Sequence, residues 1–103
     1  MDKIQVRHLV EEYAQVVARE FPESEVFLFG SYVNGNPNED SDIDVAVVFP
    51  EIVGDFLTLA ARLHHLRNDI DPIIEPHLLS RMHDESGFLA EIQRTGEVFY
   101  RAA

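Results

Sequence analysis

Residues 29–48 read Phe-Gly-Ser-Tyr-Val-Asn-Gly-Asn-Pro-Asn-Glu-Asp-Ser-Asp-Ile-Asp-Val-Ala-Val-Val, and this stretch sets the frame for the chain. Just before it, Val26-Phe27-Leu28-Phe29 is a short, continuously apolar run that fits a strand covered on both faces. Gly30-Ser31 breaks that run, and residues 34–41 carry the strongest loop signal in the sequence. A second buried strand is expected from Ile43 to Phe49, closed by Pro50. Side chains alternate along a strand, so Asp42 and Asp44 share one face at its start. Two neighbouring carboxylates repel, and a divalent cation is the simplest neutralising partner. Hard oxygen donors suit magnesium or manganese. In isolation, an Asp-x-Asp pair is as readily a solvated turn; here it is attached to a rigid apolar strand.

Working outward, residues 3–20 place Val6, Leu9, Val10, Tyr13, Val16 and Val17 at helical spacing, with Asp2 as N-cap and Pro22 as the stop. Residues 54–66 show a second amphipathic pattern through Phe56, Leu57, Leu59, Ala60, Leu63 and Leu66, with Asp55 in the first turn. Ile70-Asp71-Pro72-Ile73-Ile74-Glu75 is the third strand candidate, its proline confined to an edge or a strand start. A last helix runs from about Phe88 to Arg94 and ends at Gly96. The expectation is one α/β (α+β) domain over 1–103, a small mixed sheet of three or more strands with helices packed on it.

Composition narrows the function. Nineteen acidic residues against eight basic ones give a formal charge of −11, which opposes direct nucleic-acid binding and favours cations and basic partner surfaces. Cysteine is absent, which excludes a disulfide scaffold and thiolate zinc sites. No membrane span and no signal-peptide pattern is found, so a cytoplasmic protein is expected.

Gly30 permits a close backbone approach at the end of a strand, and a helical turn starting at Ser31 would present N–H groups and a hydroxyl to an anion. Phosphate donors followed by a metal-binding pair meet the needs of phosphoryl or nucleotidyl transfer. Gly30-Ser31, ten intervening residues, then Asp42-x-Asp44 resembles the signature of the DNA polymerase β-like nucleotidyltransferase superfamily. The small size resembles its minimal members, the MNT proteins encoded beside HEPN-domain toxins. The resemblance covers the chain from the first strand through the third. It implies that Gly30 and Ser31 hold the triphosphate, that Asp42 and Asp44 bind two Mg2+ ions (or Mn2+), and that a later carboxylate completes the site. Asp71 is taken for that third position as a metal ligand and candidate general base, with Glu75 as runner-up; on a strand over 70–75 the two would share a face.

The activity implied is AMP transfer from ATP to a tyrosine of a HEPN toxin, making the chain the antitoxin of a type VII-like pair. One alternative is an antitoxin acting by complex formation with little or no catalysis, and another is transfer to a small-molecule acceptor. A catalytic lobe of this size leaves little to bind an acceptor, which implies a hetero-oligomer and allows a homodimer.

Other residues carry weaker signals. His64-His65 face different directions on a helix and make a poor chelate. His77 follows Glu75-Pro76 and either approaches the site from the strand's end or stands at the surface. Arg62, Arg67 and Arg94 read as solvated or ion-paired, and Tyr32 as packing beside a nucleotide or as lid packing. Phe27, Phe29, Phe49 and Phe56 read as core.

Overall fold

The computed structural model describes residues 1–35 and 41–102. The core of the expected loop, residues 36–40, lies outside the described residues. Helix α1 spans Lys3–Glu20. Asp2 caps it in a reciprocal capping box: Gln5 N–H donates to Asp2 Oδ1 at 2.8 Å, and Asp2 N–H donates to Gln5 Oε1 at 3.0 Å. Strand β1 (Glu25–Phe29) leads into a single helical turn, α2 (Ser31–Asn34). Strand β2 (Ile43–Phe49), helix α3 (Phe56–Asn68) and strand β3 (Ile74–Ser80) form a βαβ unit; helix α4 (Phe88–Thr95) and strand β4 (Glu97–Tyr100) follow.

The sheet order is β3-β2-β1-β4. β1 runs antiparallel to both β2 and β4, while β2 and β3 are parallel. The alternation of strand residues divides the interior in two. Val26, Leu28, Ile43, Val45, Val47, Phe49 and Ile74 pack with Val6, Val10, Tyr13 and Val17 of α1 and Leu63 and Leu66 of α3. Phe27, Ala46 and Val48 pack on the opposite face with Leu89 and Ile92 of α4. The Tyr13 hydroxyl donates to the Leu63 carbonyl at 2.8 Å and ties α1 to α3. Burial pushes that phenol well above its ordinary range.

Three expectations change. The third strand starts at Ile74, not Ile70: residues 69–73 form a turn, closed by Asp71 N–H to Arg67 O at 2.8 Å and Ile74 N–H to Asp71 O at 3.1 Å. Pro76 sits inside β3, which an edge strand tolerates because its outer side needs no ladder partner. β4 was not foreseen, and it adds the sheet's other edge. Phe56 is half exposed at the start of α3 and lies outside the core. No described helix is long and apolar enough to cross a membrane.

Candidate active site

The central strands bring Gly30 and Asp44 together. Phe29, the last residue of β1, pairs with Asp44 of β2, so the chain leaves the sheet at Gly30 directly beside Asp44. Gly30 adopts φ 81° and ψ −150° as the N-cap of α2, a conformation suited to glycine alone. A Cβ built there would overlap Asp44 Oδ2. The turn and the carboxylate therefore share a surface that only glycine leaves open. Val33 and Asn34 N–H donate to the Gly30 carbonyl at 3.0 and 2.9 Å, and Gly35 N–H donates to Ser31 O at 3.1 Å, closing the turn. Ser31 is half-buried at its first position, and Tyr32 is buried in the α1 and α3 core, as packing rather than an exposed ring.

Asp44 is half-buried, and Asp42 is exposed one residue ahead of β2. Parallel pairing sets Glu75 opposite Asp44 and His77 opposite Ala46, on the face that carries α4. His77 Nε2 lies 3.2 Å from Asp44 Oδ1. Its ring meets Phe29 edge-on at 5.1 Å, and Phe29 meets Phe88 edge-on at 5.5 Å. Glu75 leans the other way: Arg67 Nη1 stands 3.5 Å from its Oε2 and donates to Ile74 O at 2.7 Å. His64 Nε2 is 3.9 Å from Glu75 Oε1.

Asp71 precedes β3, in the turn that follows α3. Its Oδ1 accepts the Ile73 N–H at 2.9 Å inside the turn that precedes β3. The shared face expected for Asp71 and Glu75 fails because that segment is a turn, in which strand alternation does not operate. The signal that would have found Glu75 and His77 is a strand set at 74–80, where both alternate onto one face with Leu79. Among the described residues no three carboxylate or imidazole side chains converge to enclose a cation. The donor set still fits magnesium, which is commonly held by one or two carboxylates together with substrate phosphates and water.

A family model described as a nucleotidyltransferase domain matches residues 10–94. The chain belongs to that family. A search of curated protein sequences found no match. Among solved structures, this nucleotidyltransferase domain superposes on a candidate nucleotidyltransferase from Sulfolobus solfataricus with a TM-score of 0.68 and 24% identity, covering 96% of this chain and 83% of that one. It superposes on a chain of a toxin–antitoxin complex with AMP-PNP at TM-score 0.60 and 20% identity, covering 87% and 72% of the two chains. A third neighbour is a chain of the tri-AMPylated Shewanella oneidensis HEPN toxin in complex with MNT antitoxin, at TM-score 0.59 and 17% identity, covering 92% and 71%. These likenesses establish a shared nucleotidyltransferase fold.

Proposed function

We propose that this domain transfers AMP from ATP to a tyrosine hydroxyl of a HEPN-domain partner and so acts in the cytoplasm as the antitoxin of a toxin–antitoxin pair. The observation that carries the reading is the abutment of Asp44 on the Gly30 turn, which sets a carboxylate of the Asp-x-Asp pair against the surface where a triphosphate would lie. Asp42 and Asp44 are the residues that would hold divalent metal, Mg2+ or Mn2+. Bound there, the metal supplies Lewis-acid neutralisation of the triphosphate and of the departing pyrophosphate. Gly30 and Ser31 admit and orient the phosphates. The acceptor oxygen bonds to the α-phosphorus, the bond to the β-phosphate oxygen breaks, pyrophosphate leaves, and the phenolic proton passes to a carboxylate base. The strand register favours Glu75 for the third carboxylate, and Asp71, in the turn before β3, is the alternative.

The test is incubation with labelled ATP, Mg2+ and a HEPN protein. The wild type should label the partner, and the double variant Asp42→Ala with Asp44→Ala should not, while keeping its thermal transition. Labelling by the double variant would refute the assignment. A second reading, inhibition by complex formation alone, draws on the engagement of Glu75 by Arg67 and of Asp71 by its own turn. Tight complex formation without label on the partner would select it.

A further inference from the structure

Asp44 is gripped from two sides. Its Oδ2 rests against Gly30, and its Oδ1 lies 3.2 Å from His77 Nε2. An ionised carboxylate can only accept, so the hydrogen of this contact sits on Nε2. We propose that His77 is a positioning residue of the site: its Nε2–H holds Oδ1 and thereby fixes Asp44 with Oδ2 turned toward the phosphate side of the Gly30 turn. The proposal rests on the reading of Asp44 as a metal ligand.

Three features of the fold converge on this role. First, His77 reaches Asp44 from the neighbouring strand. Its register partner is Ala46, whose methyl group leaves room for the imidazole to lean diagonally toward Asp44. Second, the ring is confined. Phe29 meets it edge-on, and Phe29 is itself backed by Phe88 at the start of α4. Phe29 is also the register partner of Asp44 on β1, so three adjacent strands supply one assembly of Phe29, Asp44 and His77. Third, Glu75 is the direct register partner of Asp44 yet is drawn off by Arg67, which leaves His77 as the described side chain that bonds to Asp44 across the β2–β3 pair. An aspartate free to rotate would offer its two oxygens in many orientations. One donor on Oδ1 and a glycine against Oδ2 select one of them.

Hydrogen-bond partners of ligating groups typically change metal affinity by about 10–100-fold when removed. The readout is Mn2+ binding to the protein without nucleotide, with thermal melting in parallel and KM and kcat measured on the transfer reaction. His77→Ala should weaken Mn2+ binding by about tenfold or more. His77→Phe keeps a ring against Phe29 but has no N–H, and should weaken binding to the same degree with little loss of melting temperature. His77→Gln places an N–H donor near the same point and should recover most of the affinity. In the transfer reaction the loss should fall on kcat more than on KM for the acceptor. Wild-type Mn2+ affinity in His77→Phe would overturn the proposal. So would a His77→Gln as weak as His77→Ala, since that result makes the imidazole nitrogen a ligand in its own right. Asp44→Asn separates the two levels: if it binds Mn2+ as the wild type does, the metal reading falls and the proposal with it. If Asp44→Asn loses binding while all His77 variants keep it, only the positioning role falls.

Discussion

Replacing Gly30 with alanine tests the geometry on which the site depends. The backbone at φ 81° and ψ −150° lies where an L-residue is strained by about 1–3 kcal/mol. The new Cβ would overlap Asp44 Oδ2 and stand 3.2 Å from its Cγ and 3.3 Å from its Cβ. The sheet fixes the Asp44 backbone through pairs on both sides, so relief must come from swinging its side chain away. That movement breaks the contact with His77, worth about 1 kcal/mol as a hydrogen bond. Together these give a loss of about 3 kcal/mol. For a domain of this size that corresponds to a fall in melting temperature of about 12–24 °C. Urea titration followed by far-UV circular dichroism measures the first quantity and thermal melting the second. Gly35→Ala is the control: its φ is 86° but a Cβ there meets nothing within 4 Å among the described residues, so the backbone strain of about 1–2 kcal/mol is the expected cost. Gly30→Ala should also lose Mn2+ binding and AMP transfer, because Asp44 is displaced. A Gly30→Ala protein no less stable than Gly35→Ala, with transfer intact, would refute the reasoning.

Other consequences are more local. Tyr13→Phe removes the hydrogen bond to the Leu63 carbonyl and should cost about 1 kcal/mol in urea titration, without altering the site on the sheet's other face. Arg81→Ala should cost about 3 kcal/mol, because Glu25 is buried and its ion pair with Arg81 would be broken; Arg101, 3.6 Å away and mostly exposed, offers partial replacement. Glu20 is held below the usual carboxylate range, first by its hydrogen bonds from Arg62 at 2.6 and 2.5 Å. A depressed folded-state pKa means that its stabilising effect is present above the unfolded value and disappears as pH falls through the folded one. Arg62→Ala should therefore raise the Glu20 titration seen by NMR toward the ordinary carboxylate range. The stability gap between Arg62→Ala and wild type should be small at neutral pH and close under acid.

The elements legible from sequence are those whose neighbours enforce a single period. α1 carries Val6, Val10, Tyr13 and Val17 on one buried stripe, and its capping box follows from Asp2 and Gln5. β2 reads as buried on both faces because α1 and α3 cover Val45 and Val47 while α4 covers Ala46 and Val48. β3 was misplaced because Pro72 and Ile73-Ile74 look like a strand start, whereas Pro76 looks like a strand end. The sheet order reverses that local reading: at an edge, Pro76 forfeits no ladder bond, and the strand continues to Ser80. β4 has four residues and takes its stability from pairing with β1, a contact that local sequence does not announce.

The site divides along the same line. Gly30, Ser31, Asp42 and Asp44 stand out as candidates in the sequence because they fall within one short stretch that joins the end of one apolar run to the start of the next. Residues from β3 were not, since their place depends on a parallel register reached through a helix. A shift of one residue in that register would send His77 to the opposite face and exchange it for Pro76 or Leu78. The same logic applies to Asp71: its distance from Glu75 suits a strand, but Asp71 Oδ1 accepts the Ile73 amide before the strand begins. What selects Glu75 and His77 is the buried set of Ile74, Pro76 and Ser80 on the alternate positions, which locks β3 in register and leaves its other face to the site. The stability of the sheet and the group that bonds to Asp44 are thus one constraint: a substitution that slipped β3 would take His77 away from Asp44 and Glu75 out of register with it.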